Sequence, residues 1–406
     1  MKNSRSLQKK RTGILYLTGF ILIFGYAIAR PTIDSMFLEH YTENDLPLAW
    51  LITAFSSLIV IIFYNRFNQK LSILSLYGGA SIVCGVLLAG LIGAYVAGFI
   101  PAIFILYIWK ELYMVVLMET YWSFADIVFS TSAARHTYGI AMAMSSLGGV
   151  FGNLLVGPLA HLIGTKMALS TLILLLALGA VIAFFSRSIG DEKPHNNAEK
   201  KVGLGLKTVW HSRYLVPLGF MICTVQILIG LIDYRFNAML RENFVNTDMR
   251  TDVLGQIHAA VNVFGIAIQL CTAPILKLFG IGNALKSVPF ILSLVILAFV
   301  AAPQFALMVA VKISSKALDY SLLRGVKEII YIPLSRVEKT QGKGIIDIFI
   351  YRLARGFSSM LLLSLIALQM TAHVMEFSLI LVFLWLFLAI IIARRYQALM
   401  MIKAGS

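Results

Sequence analysis

The stretch TKMALSTLILLLALGAVIAFFSRSIGDEKPHNNAEKKVGLGLK, residues 165–207, decides the fold. An apolar run (165–187) stands directly against the one long polar segment of the chain, Ser188–Lys207. About 20 apolar residues suffice to cross ~30 Å of hydrocarbon as a helix. The Asp, Glu, Pro, Asn and Lys of the polar segment cannot bury enough apolar area to offset the entropy of ordering it, so it reads as a linker in water. Outward from this junction, further apolar runs lie at 13–38, 46–64, 72–96, 100–126 and 135–160 on one side. On the other they lie at 213–240, 252–275, 281–302, 305–334, 344–370 and 375–394. The expected fold is an all-α polytopic membrane protein of about twelve spans: a six-helix half over 1–187, a cytoplasmic linker over 188–212 and a second six-helix half over 213–406. A faint repeat agrees with it, since DSMFLEHYTENDLPL after the first span parallels DYRFNAMLRENFVNTDM after the seventh.

Composition carries the same message. Hydrophobic residues make up 59% and charged residues 13% of the 406, and mean hydropathy is +0.85. Soluble domains run nearer ~25% charged, so the bilayer is the solvent here. Cys84, Cys223 and Cys271 all sit inside apolar runs without paired spacing and read as small core residues, giving no reason to expect a disulfide or a metal. The net charge of +15 follows membrane topology and gives no sign of a nucleic-acid partner. With both termini cytoplasmic, 22 of the 34 Lys and Arg fall on the inner side, in the N-terminal tail and the loops after even-numbered spans. The outer side keeps only Lys166, Arg241 and Arg250, and its first loop is acidic (Glu39, Glu43, Asp45). This asymmetry fits an even number of spans. Lys2, Arg5, Lys9, Lys10 and Arg11 imitate the start of a signal peptide, but the apolar run continues past Gly25 with no small-residue cleavage site, which predicts an uncleaved first helix.

Nine basic residues remain within the spans: Arg30, Lys110, Arg235, Lys312, Lys316, Arg324, Lys327, Arg352 and Arg355. A charge at mid-membrane costs at least ~2.5–3.5 kcal/mol, so these side chains line a wet cavity or pair inside the bundle. The acidic companions are Asp34, Glu111, Asp233, Asp319, Glu328 and Asp347. On a helical wheel of the tenth span, Lys312, Lys316, Asp319 and Lys327 share a face that Arg324, Glu328 and Tyr331 continue, while Val311, Leu318, Leu322, Val326 and Ile329 lie opposite. Lys312 and Lys316 either pair with Asp319, snorkel, or meet a ligand; Lys327 beside Glu328 is the stronger ligand or gating residue. Arg352 and Arg355, three apart in the eleventh span, suit bidentate contact with phosphate or carboxylate, or a gate in which Arg355 meets Asp347 or Glu328. In the first span Arg30 is one turn from Asp34 across Pro31, and either binds an anion or neutralises Asp34. Asp233 and Arg235 diverge on the seventh span and Lys110 and Glu111 on the fourth, so each needs a partner on another helix.

Gly148, Gly149, Gly152 and Gly157 permit close helix packing. No phosphate-binding Gly-x-x-x-x-Gly-Lys-[Ser/Thr] loop, His-Glu-x-x-His motif or catalytic triad is present, and neither an enzyme nor a cofactor is expected.

One run is specific beyond its chemistry. YSLLRGVKEIIYIPLSRVEKTQGKGIID (Tyr320–Asp347) resembles the ATP/ADP translocase family of plastids and intracellular bacteria: it carries Lys327-Glu328, Tyr331-Ile332-Pro333-Leu334, Lys339, Gly342-Lys343 and Asp347. Lys110-Glu111-Leu112, Phe124-Ala125, Arg30 with Asp34, and Leu46-Pro47 extend the resemblance along nearly the whole chain. It implies a major-facilitator-like fold, a central site between the halves, nucleotide exchange, and a place in the bacterial inner membrane. It also implies four transport positions. Glu111 and Lys327 match two of them, Asp233 stands where a glutamate is expected, and Ile33 where a lysine is expected. Arg324-Gly325 replaces the family's Asp-Pro, so the chain looks more like the short, divergent bacterial members.

The leading expectation is a secondary transporter of a multiply charged organic anion, such as ATP or ADP by exchange. Lys327, Arg352, Arg355, Lys316, Arg30 and Arg235 would bind substrate, and Glu111, Asp233, Glu328, Asp34 and Lys110 would couple or gate. A proton-coupled metabolite transporter and a non-transporting scaffold or sensor are the alternatives.

Overall fold

The computed structural model describes residues 2–68, 71–128, 134–187, 208–335 and 337–404, and every regular element among them is helical. Residues 188–207 of the expected linker lie outside the described residues. The first half holds α1 (Lys2–His40), α2 (Leu46–Asn68), α3 (Ile73–Val96), α4 (Pro101–Val128), α5 (Ala134–Ile163) and α6 (Thr165–Phe185). The second holds α7 (Leu215–Asn243), α8 (Thr247–Ala301), α9 (Phe305–Leu318), α10 (Arg324–Ile330), α11 (Tyr351–Ala367) and α12 (Val374–Ala404).

Three of the expected spans take unexpected forms. The eighth and ninth run together as α8, interrupted only at Gly280, whose φ of 73° and ψ of 161° no α-helix contains. The positive φ is open to glycine and strained for other residues. The tenth span is broken: α9 leads into a π-helical turn at Asp319–Leu323 and then into α10. Ten helices among the described residues are long and apolar enough to cross a membrane, α8 being 55 residues long. With α8 divided at Gly280 and the broken, charged tenth span added, the expected twelve are recovered. Large apolar side chains turned outward, such as Phe55 at 63% and Ile62 at 58% exposure on α2, suit a surface in lipid.

The chain packs into two compact units. Unit one takes in residues up to Thr42, those from Ile52 through α6, and Phe244–Asn262. Here α1 packs on α4, α5 and α6, and α3 on α4 and α6. The glycine stripe of α5 makes the α1 contact possible: a Cβ on Gly152 would stand 2.6 Å from the Phe24 carbonyl oxygen of α1. The segment Phe244–Asn262 is tied into this unit by polar contacts. Asp248 accepts from the Thr165 amide and hydroxyl, each at 2.7 Å, and His161 meets Asp252 at 3.1 Å. Arg250, expected on the outer side, is 2% exposed. Its guanidinium donates to the carbonyls of Ser35, Phe244 and Val245, which supply the acceptors that burial would otherwise remove.

Unit two takes in Glu43–Leu51, α7, α8 from Val263 onward and the described remainder of the chain. α7 packs on α9, α11 and α12, and Leu231, Tyr234, Leu362, Leu365 and Val374 form an apolar cluster among them. Glu43–Leu51 is held here by the Tyr234 hydroxyl, which donates to Asn44 at 2.6 Å, and by Arg241 to Glu43 at 3.4 Å.

Candidate functional site

In unit one, the sequence-derived residues Arg30, Asp34, Lys110 and Glu111 come together. α1 presents Arg30 and Asp34 one turn apart, and α4 brings Lys110 against Asp34 in direct ion-pair contact. Arg30 lies 4.0 Å from the other Asp34 oxygen, and Lys110 lies 3.9 Å from Glu111. The Lys110 ammonium also sits 3.6 Å from the centre of the Tyr107 ring. Beside this cluster Trp109 and Tyr113 stack at 4.6 Å, and the indole N–H, the Tyr113 hydroxyl and the Ser35 hydroxyl are buried without a hydrogen-bond partner among the described residues.

In unit two, α7 carries Asp233 and α9 carries Lys312 and Lys316. The two ammonium groups donate to the two oxygens of the one carboxylate, at 2.6 and 3.0 Å. The wheel of the tenth span sets Asp319 beside these lysines, yet the hydrogen bonds go to Asp233, because α7 packs against this face of α9 and brings a carboxylate to it. Asp319 lies at the start of the π-helical turn, within electrostatic reach of Lys316, Arg324, Lys327 and Arg355. Lys327 pairs with Asp347 at 2.9 Å, and Glu328 with Lys343 at 2.5 Å. Asp347 and Glu328 are thus each in contact with a lysine. Arg355 is exposed beside the Tyr351 ring, with 5.9 Å between guanidinium and ring centre. Arg352 and Arg235 are half-buried. No hydrogen bond or ion pair among those described ties Arg235 to Asp233.

Beyond α10, the chain turns at Tyr331–Leu334, and Glu338 anchors the next stretch. Burial raises its carboxyl, but the Ser212 hydroxyl at 2.7 Å and the Ser335 hydroxyl and amide at 2.9 and 3.2 Å outweigh this and hold it below the usual carboxylate range. The Tyr214 hydroxyl donates to the Ile330 carbonyl at 2.9 Å, fixing the end of α10 to the start of α7.

Lys312 is the functional candidate that reading the sequence leaves out of the binding set. Its signal is in the repeat: each half starts an Asp-x-x-Phe on its first helix and places a lysine on its fourth.

The profile of the TLC ATP/ADP transporter family matches residues 86–397. The chain is 22% identical to ADP,ATP carrier protein 3 of Rickettsia conorii over 294 residues, covering 60% of this chain and 59% of that protein. It is 23% identical to ADP,ATP carrier protein 2, chloroplastic, of Arabidopsis thaliana over 280 residues, covering 60% of this chain and 45% of the relative. The chain thus spans about half the length of the curated relatives it matches. Among solved structures, a mutant of the nucleoside transporter NupG superposes with a TM-score of 0.72 at 10% identity, covering 96% of this chain and 99% of that one. A bacterial homologue of the iron transporter ferroportin gives 0.66 at 11% identity, covering 96% and 98%. At such identities the likeness establishes the major-facilitator-like fold and nothing finer.

Proposed function

Because the chain belongs to the TLC ATP/ADP transporter family, we propose that it is a secondary transporter that exchanges multiply charged organic anions of the nucleotide class, ATP and ADP first among them. The proposed location is a bacterial inner membrane, with both termini cytoplasmic, and the proposed mechanism is alternating access. The observation that carries the reading is the state of the membrane-embedded bases. Lys312 and Lys316 share one carboxylate, and Lys327 is 20% exposed on another, Asp347. Pairs of this kind can open to receive phosphate oxygens and close again on release, because an ammonium group bonds carboxylate and phosphate oxygens by the same charge-assisted contact. In this scheme Lys327, Lys316, Arg352 and Arg355 contact the anion, Arg30 and Arg235 draw it in, and Glu111, Asp34, Lys110, Asp233 and Glu328 break and re-form pairs as the conformation changes.

Purified protein in liposomes loaded with ADP is expected to take up labelled ATP, and Lys327→Ala is expected to abolish that uptake. Failure to move any anion in a panel of nucleotides, sugar phosphates and dicarboxylates would reject the proposal. A second reading, proton-coupled uptake of a smaller metabolite through Asp34, Glu111 or Asp233, draws support from Ile33. Only 1% exposed, this apolar side chain stands where the resemblance puts a transport lysine. Uptake that collapses with a protonophore and needs no internal substrate favours that reading.

A further inference from the structure

Two helices of unit two carry a base at the end of a lipid-facing stripe. In the part of α8 that follows Gly280, Phe290, Leu294 and Leu297 are exposed at helical spacing, and Lys286 stands one turn before Phe290 on the same side. On α12 the exposed Ile380, Phe383 and Phe387 make a second stripe, and Arg394, also exposed, stands two turns further along it. The two helix ends meet: a Cβ on Gly282 would lie 3.3 Å from the Ala393 Cβ and 3.6 Å from the Gln397 side-chain nitrogen. Lys286 is one turn from Gly282, and Arg394 directly follows Ala393, so both bases belong to this one corner. A helical side chain leans toward the N-terminus of its helix, which for Lys286 is the Gly280 end. Its stem can therefore run back over one turn and hold the ammonium at the membrane surface.

Other features of the corner agree. At the break itself Lys277 is exposed beside Leu278 and Phe279, 78% and 61% exposed, which is the mixture of charge and apolar surface found at a membrane interface. Arg395 is exposed next to Arg394. The sequence holds no aspartate or glutamate between Asp252 and Asp319, nor after Glu376. Among the described residues, Lys277, Lys286, Arg394 and Arg395 have no hydrogen-bond or ion-pair partner. Glu328 and Glu338, further along unit two, contact Lys343 and the Ser212 and Ser335 hydroxyls. We propose that this corner is a headgroup site for an anionic phospholipid. Acyl chains lie along the two stripes, and the phosphate meets the Lys286 ammonium and the Arg394 guanidinium, whose fork suits its oxygens. Lys277 and Arg395 add attraction at longer range. A zwitterionic lipid would bring its own cation to a corner with no carboxylate to receive it, so lipids of net negative charge are selected. Bound there, the lipid bridges the Gly280 break and the end of α12.

The site needs the chain to span a bilayer but nothing of the transport cycle, so an absence of ATP exchange would leave it standing. In the test, the purified protein in neutral detergent is titrated with phosphatidylglycerol. Bound lipid is counted by native mass spectrometry, and melting temperature is recorded alongside. Phosphatidylcholine and glycerol 3-phosphate serve as comparisons. Phosphatidylglycerol is expected to bind and to raise the melting temperature, and the other two are expected to do neither. Lys286→Gln with Arg394→Gln is expected to weaken phosphatidylglycerol binding about thirtyfold, for two interfacial bases lost. Lys9→Gln with Lys10→Gln removes the same charge from the N-terminal tail and is expected to weaken it by less than about threefold. An equal loss in that control would mean a general attraction to basic surface, and it overturns the inference. So does equal binding of phosphatidylcholine, or a melting shift as large from glycerol 3-phosphate, which would make free phosphate the ligand. Should the double variant not fold, Arg394→Gln alone decides, with an expected loss of about fivefold; undiminished binding overturns the inference.

Discussion

Lys110 is 1% exposed, and an ammonium group that far from water needs a counter-charge in contact. Asp34 supplies it, and the Tyr107 ring face adds a second, weaker attraction. Removing one partner strands the other, so Lys110→Ala is expected to cost about 3–5 kcal/mol of stability. The double change Lys110→Met with Asp34→Leu removes both charges together and is expected to cost clearly less. Melting of the purified variants in detergent ranks them, and equal losses would deny that the pair is buried as a unit. How far this was legible beforehand depends on the question asked. Hydropathy alone singles out nine basic residues as misfits in hydrocarbon, Lys110 among them. It does not say which carboxylate Lys110, Lys312 or Lys316 will meet, because their partners lie on other helices 76 to 83 residues away. A wheel compares residues of one helix only, which is why it sets Lys312 beside Asp319 and misses Asp233.

Among the elements, α1 and α5 depend most visibly on small residues. The Gly152 position leaves no room for a side chain, since the obstacle is the Phe24 carbonyl of α1, part of a helix backbone that cannot turn aside. Gly152→Val is expected to push the two helices apart and cost at least about 1–3 kcal/mol. The loss shows as a lower melting temperature and a broadened gel-filtration profile. Unchanged values would mean that α1 does not pack as closely as described. This contact was readable from the glycine spacing in SSLGGVFGNLLVGPL, because few other reasons place so many glycines on one apolar helix. The extent of the other spans was readable too, from runs of apolar residues bounded by charge. What resisted was conformation inside a span. A π-helical turn at Asp319–Leu323 adds no distinctive composition, and its effect is to shift the register between Lys316 and Lys327. The wheel assumes one unbroken periodicity and places all the lysines on one stripe; Lys316 reaches Asp233 while Lys327 reaches Asp347. Within α8 the break between the apolar runs 252–275 and 281–302 falls at Gly280.

For the whole molecule, the distribution of charge fixes the expected topology: basic residues gather in the loops after even-numbered spans. Single cysteines in a background lacking Cys84, Cys223 and Cys271 test it. A cysteine at Val245, which is 85% exposed, is expected to react with an impermeant maleimide on intact cells. One at Lys277 is expected to react only after permeabilisation; the reverse pattern would invert the topology. The twelve-span count and the helical fold were legible because the bilayer imposes a length on every crossing. The composition of the two compact units was not, for it depends on contacts and not on chain order. Unit two includes Glu43–Leu51, made early, and unit one includes Phe244–Asn262, made late. A chain leaving the ribosome from its N-terminus therefore carries its first six helices as an unfinished structure until Asn262 has emerged. Asp248, Arg250 and Asp252, which close that structure, arrive after the seventh helix has already been threaded. Completion of the first unit thus waits on translation of α7, a helix of the second, and a chain that stalls before Asn262 leaves the first unit open.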